Sequence, residues 1–184
     1  MGFQQLLLVA SLPLMALSKT PDSFQLYAYG QALGGLPLFN ADGYAYVGDA
    51  SLSNSSSAAP VTFSGGSDNT WFGAPNTTDL GNSTTPDWSN VTLFVPGSSS
   101  SDRRVGFLSS NSSDGDVVTS GFIFYGSTAM LLADDGDVES LWFGAPVGNT
   151  GVYEMYWNST DSSHVPIALR SVAPTSANTE RRRK

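Results

Sequence analysis

Short apolar runs alternate with turn-forming clusters about every 8 to 12 residues along almost the whole chain, the spacing of strands joined by tight turns rather than of helices. Once the first residues are passed, no stretch repeats its apolar positions at helical period. The candidate strands are Phe24–Tyr29, Tyr44–Val47, Val61–Phe63, Thr70–Phe72, Val91–Val95, Val105–Leu108, Gly121–Tyr125, Ala129–Leu132, Val138–Phe143, Tyr153–Asn158 and Ile167–Val172. Asp42-Gly43 and Asp135-Gly136 stand between apolar runs and supply the positive-φ residues that a tight hairpin demands. The fold class is therefore all-β, a single antiparallel β-sandwich or barrel-like domain. At 184 residues the chain can bury a core without metals or disulfides, and it has no cysteine with which to form the latter.

The pentapeptide Trp71-Phe72-Gly73-Ala74-Pro75 returns as Trp142-Phe143-Gly144-Ala145-Pro146, 71 residues later. Upstream of each copy, Phe39–Asp49 resembles Phe124–Asp134 in its spacing of aromatic, apolar and acidic positions. The first copy is 14 residues longer because of the Ser-rich stretch around Leu52–Pro60. Two related β-halves are expected, too few for a solenoid.

Residues 1–18 contain an apolar run from Leu6 to Leu17 that ends Ala16-Leu17-Ser18, a small-x-small pattern suited to signal peptidase. The run is too short, and broken by Pro13, to be a membrane span. Residues 19–173 then form the β domain and 174–184 a basic tail. Six Asn-x-Ser/Thr sequons, at Asn54, Asn76, Asn82, Asn90, Asn111 and Asn158, lack a central proline. With ten Asn and 42 Ser plus Thr, chance placement predicts only about two. A secreted, N-glycosylated chain is expected, extracellular or at a cell wall. Residues 19–180 hold four basic groups against sixteen acids, a net −12 that repels nucleic acid and anionic lipid.

Period-two alternation orients two strands. If Asn158 faces solvent, Tyr156 and Glu154 share its face while Tyr153, Met155 and Trp157 point inward. If Asn90 faces solvent, Val91, Leu93 and Val95 are buried. In Tyr44-Ala45-Tyr46-Val47, burying Ala45 and Val47 places both tyrosines on the opposite face. There they can stack on sugar rings with Asp42 or Asp49 near enough to bind hydroxyls, or a second layer of chain can cover them.

The inventory for catalysis is thin. His164 is the one histidine, no Gly-x-Ser-x-Gly elbow occurs, and a cysteine nucleophile is impossible. Glu139 and Glu154 are the candidates for a two-carboxylate glycosidase, expected in strands of adjacent segments where they can meet across a sheet face, and solubilising glutamates are the plainer reading. Asp134-Asp135-Gly136-Asp137 and Asp114-Gly115-Asp116 cluster carboxylates without EF-hand spacing and read as turns. No metal and no cofactor is assigned.

Leu26-Tyr27-Ala28-Tyr29-Gly30, Gly34-Gly35-Leu36-Pro37, Ala41-Asp42-Gly43 leading to Tyr46-Val47-Gly48-Asp49, and the sequon-bearing middle resemble small secreted glycoproteins of filamentous ascomycete fungi. The likeness covers about Ser23 to Pro174. It implies a fungal extracellular setting and transfers no catalytic residue. The function expected is non-enzymatic binding of polysaccharide or of a host or cell-wall protein. A secreted effector or elicitor recognised by a host protein, and a glycoside-active or accessory enzyme, are the alternatives.

Overall fold

The computed structural model describes residues 17–31, 33–78, 80, 86–109, 115–133 and 135–175. It is almost all β, 48% strand and 4% helix, built as a closed antiparallel barrel of ten strands with extra strands attached. The strands are β1 (Leu17–Ser18), β2 (Tyr27–Gly30), β3 (Leu33–Ala41), β4 (Tyr44–Val47), β5 (Ala59–Gly65), β6 (Trp71–Pro75), β7 (Val91–Pro96) and β8 (Gly106–Leu108). They continue as β9 (Val117–Val118), β10 (Phe122–Tyr125), β11 (Thr128–Leu132), β12 (Val138–Glu139), β13 (Trp142–Pro146), β14 (Tyr153–Trp157) and β15 (Val165–Arg170). Around the barrel the order is β2-β3-β5-β6-β7-β8-β4-β14-β13-β15, and β15 closes it by pairing with β2. The β10–β11 hairpin joins through β11 and β15, β12 extends β11, and β9 pairs with β7. Among the described residues no helix is long and apolar enough to cross a membrane.

Alternation dictates what fills the interior. Leu26, Phe63, Trp71, Leu93, Val95, Phe122, Phe124, Trp142, Met155 and Leu169 are each at most 1% exposed and belong to one core. Val91, Leu93 and Val95 point inward as the sequon-based orientation requires. Met155 and Trp157 do the same, while Tyr153 is only half-buried and packs at the margin of that core. Asn90 and Asn158 are exposed but left-handed (φ 52° and 49°), so each lies just outside the strand beside it.

Both copies of the repeated pentapeptide are five-residue strands with the Trp and the Gly turned inward. The inward glycine leaves room for neighbours: a Cβ at Gly73 would stand 2.8 Å from Val61 Cγ1. Both upstream segments are hairpins, β3–β4 and β10–β11. The surroundings diverge, since β6 lies between β5 and β7 whereas β13 lies between β14 and β15.

Two expectations need correction. Val138–Phe143 is two strands, and β12 pairs with β11 while β13 pairs with β14 and β15. The longest strand, β3, has no counterpart among the sequence-predicted strands because Gly34, Gly35 and Pro37 interrupt its apolar pattern. It survives them by changing partners along its length, pairing with β2 up to Pro37 and with β4 and β5 beyond. At the end of the N-terminal apolar run, Leu17 and Ser18 pair with Tyr125 and Phe124. Residues 1–16, Asn82, Asn111, Asp114, Asp134 and residues 176–184 lie outside the described residues.

Candidate functional site

The turn Asp42-Gly43 has both residues left-handed (φ 53° and 85°), the geometry of a two-residue hairpin whose twist matches its strands. Asn40, at 1% exposure, secures it by accepting from the Gly43 N–H at 3.1 Å. This turn sets the register of β4, and that register decides which way the tyrosines face. Ala45 and Val47 are fully buried, and Tyr44 and Tyr46 are half-buried on the outer surface.

One side of that outer surface carries a second layer. The Ser-rich insert folds back so that Ala58 joins Phe39, Ala41 and Val152 in a small apolar cluster against Tyr46 and Ala50. Ser55 and Ser57 hydroxyls donate to Asp42, and the Trp88 indole donates to the Ser57 carbonyl at 2.8 Å. Asp49 caps the turn Ala50–Leu52 by accepting from the Ser51 N–H at 2.9 Å. Asp42 and Asp49 thus hold the insert in place, and Asp42 also lies near enough to Tyr46 to act on its hydroxyl electrostatically. The Tyr46 ring stacks on Phe39, centroids 5.4 Å apart.

The other side is open and densely networked. Tyr46 and Glu154 are direct cross-strand partners, so the Tyr46 hydroxyl donates to Glu154 Oε1 at 3.3 Å. Two residues further on, Tyr156 donates to Glu154 Oε2 at 2.9 Å. Arg104 arrives opposite Tyr156 because the segment before β8 pairs with β14 there. Its Nη2 donates to the Tyr44 hydroxyl at 2.9 Å and its Nη1 stands 3.7 Å from Glu154 Oε1. Asp102 grips the same guanidinium, accepting from Nε and Nη2 at 3.1 and 2.8 Å. The His164 ring lies 4.3 Å from that of Tyr156 and pairs its Nδ1 with the Ser159 hydroxyl at 2.7 Å.

Electrostatics fix the proton positions. Burial and the adjacent Glu154 carboxylate push the Tyr46 and Tyr156 phenols up to about 12, so both remain donors at neutral pH. The Arg104 hydrogen bonds hold Asp102 below the usual carboxylate range, and Asp102 in turn raises Arg104. Neither phenol is poised as a phenolate nucleophile.

The chain has no matching family model, no matching curated protein and no matching solved structure. What the site can bind therefore follows from its own geometry. Three phenol rings, one arginine and the carboxylates of Glu154 and Asp102 form a half-exposed surface rather than a cleft flanking one bond. Glu139 does not belong to it. It lies on β12 opposite Leu131 and lines a separate hollow with Asp68 and Trp157, so strand pairing does not bring it to Glu154. Ser159, Asp161 and His164 do meet, but within one turn, where the Asp161 N–H donates to Ser159 Oγ and Asp161 stands 3.8 Å from Nε2. Among the described residues no group of three metal-ligating side chains gathers.

Sequence reasoning placed Tyr44, Tyr46, Glu154 and Tyr156 on outer faces but missed that they share one. It also missed Arg104. The available signal was Arg103-Arg104 itself, an adjacent basic pair inside a strongly acidic body.

Proposed function

We propose that this protein is a secreted, non-enzymatic binding module, fungal by its sequence resemblance, that holds neutral polysaccharide on the Tyr44–Tyr46–Tyr156 face at a cell wall or host surface. The observation that carries the reading is the convergence of all three phenol hydroxyls on Arg104 and Glu154, which presents aromatic faces and fixed donors and acceptors side by side. Sugars offer the complement, apolar C–H faces and hydroxyls that both donate and accept. A body of net −12 disfavours anionic polymers and leaves β-glucan, mannan and chitin.

Retention of the secreted protein on those three insoluble polymers tests this. Tyr44→Ala should abolish retention on the preferred polymer with the melting temperature held, because Tyr44 covers no apolar cluster. Undiminished retention by that variant, or no retention of the parent on any of the three, would overturn the reading.

A further inference from the structure

A hollow of about 540 Å³ lies on a different part of the surface, walled by Asp68, Asn69, Leu132, Glu139, Trp157 and Asn158. That volume is within the few hundred to one thousand Å³ of ordinary ligand pockets. Its walls are tied together. Arg103, also on the rim, donates from Nε to the Trp157 carbonyl at 3.0 Å and from Nη1 to the Gly97 carbonyl at 2.7 Å. The Gly121 N–H donates to the Asp68 carbonyl at 3.1 Å, and Gly121 accepts from Leu132 at 2.8 Å. Four rim residues are left-handed: Asp68 (φ 54°), Asn69 (56°), Gly121 (87°) and Asn158 (49°). Gly121 adopts this conformation freely, whereas Asp68, Asn69 and Asn158 hold it against a side-chain penalty, so their surroundings fix the shape of the rim. Val118 and Leu132 leave apolar surface open in it, at 36% and 37% exposure.

Asn158 heads the sequon Asn158-Ser159-Thr160, its side chain is exposed, and its backbone N–H is anchored to the Leu141 carbonyl at 2.8 Å. We propose that Asn158 carries an N-linked glycan whose first sugars lie in this hollow, so that the cleft is filled by the chain's own modification. The inference rests on passage through a secretory pathway but not on the tyrosine face. Attachment forms a bond from Asn158 Nδ2 to C1 of a lipid-diphosphate-linked oligosaccharide. The C1–O bond breaks, the lipid diphosphate departs, and the amide nitrogen gives up one proton. The lining suits a neutral sugar: Asp68 and Glu139 accept from hydroxyls, Asn69 both donates and accepts, and Val118 and Leu132 meet the C–H face. Arg103 gives its donors to backbone carbonyls, and its single positive charge still leaves the rim net negative beside Asp68 and Glu139, which disfavours an anion.

The test is made on the full chain secreted from a glycosylating eukaryotic cell. Glycopeptide masses report occupancy, and an endoglycosidase acting on the folded protein reports accessibility, with exposed Asn90 as the comparison. The Asn158 glycan should be released roughly tenfold more slowly than that of Asn90, and equally fast after unfolding. Thr160→Ala, which removes the sequon but spares Asn158 and its backbone, should lower the melting temperature and raise binding of a hydrophobic dye. Thr160→Ser should do neither. Equal release rates in the folded protein, or an unmodified Asn158 beside a modified Asn90, would overturn the proposal alone. A chain with no modified sequon would overturn the secretory reading with it.

Discussion

The guanidinium carbon of Arg104 stands 3.9 Å from the centroid of the Tyr44 ring, while its Nη2 donates to the hydroxyl of that same tyrosine at 2.9 Å. The arginine therefore fixes the ring and occupies part of its face. A ligand stacking on Tyr44 must use the remaining surface and meets a charge already oriented by Asp102. A planar fork makes this arrangement, and an ammonium cannot reproduce it.

Arg104→Lys should consequently separate binding from folding. The pair with Asp102 is solvent-exposed, with side-chain exposures of 32% and 51%, so its loss should cost no more than about 1 kcal/mol in a urea titration. Polymer retention should fall much further than stability. Full retention by the lysine variant would remove Arg104 from the binding surface.

Titration at both extremes of pH has a defined sign. The folded-state pKa values of Tyr46 and Tyr156 lie near 12, above the unfolded phenol value of 10.0. Their contribution is complete below pH 10 and is lost as pH rises from there toward 12, because the unfolded chain releases those protons first. Asp102 acts in the opposite direction. Its folded pKa is depressed, so its contribution is present above the unfolded value of 3.8 and is lost as pH falls through the lower folded value. The alkaline loss should shrink in a Tyr46→Phe, Tyr156→Phe double variant and the acid loss in Asp102→Asn, both followed by chemical denaturation. An alkaline limb unchanged in the double variant would contradict the Glu154 network.

Tyr46 serves structure as well as surface. Tyr46→Ala uncovers Phe39, unstacks the ring from it and takes one donor from Glu154, a combined loss on the order of 2 kcal/mol. Tyr44→Ala should cost well under half of that. The comparison is read from unfolding midpoints at constant slope. Similar midpoints for the two variants would mean that the insert, not Tyr46, shields Phe39.

Period two explains why so much of the fold was legible. Ala45 and Val47 must face one way, so Tyr44 and Tyr46 face the other, and that inference uses four consecutive residues. Turn chemistry was equally local, as the left-handed Asp42-Gly43 pair shows. β3 was opaque because its glycines and Pro37 break the pattern, and its stability comes from three partner strands at different distances along the chain. The site was opaque for the same reason. Tyr46 and Glu154 are 108 residues apart, and Arg104 and Tyr44 are 60 apart. Only the long-range pairing of β4 with β14 and with β8 brings them together, and such pairing has no local signature.

The repeated Trp-Phe-Gly-Ala-Pro strands provide a final comparison, because identical sequence meets unlike surroundings. Trp142 donates its indole N–H to the Ala129 carbonyl at 3.0 Å, whereas the buried Trp71 Nε1 has no acceptor. Trp71 is instead held by rings, stacked on Phe124 at 4.9 Å and edge-on to Phe24 at 4.9 Å. Replacing either Trp by Phe removes similar volume, so packing losses should be comparable. In Trp142→Phe a satisfied buried hydrogen bond also disappears, adding about 1 kcal/mol. In Trp71→Phe an unpaired donor disappears, which offsets part of the cavity cost. Unfolding should therefore show Trp142→Phe as the more damaging change, although both tryptophans are essentially inaccessible to solvent. Equal costs would mean that the Trp71 indole finds an acceptor of its own, and the two halves would then be alike in bonding as well as in sequence.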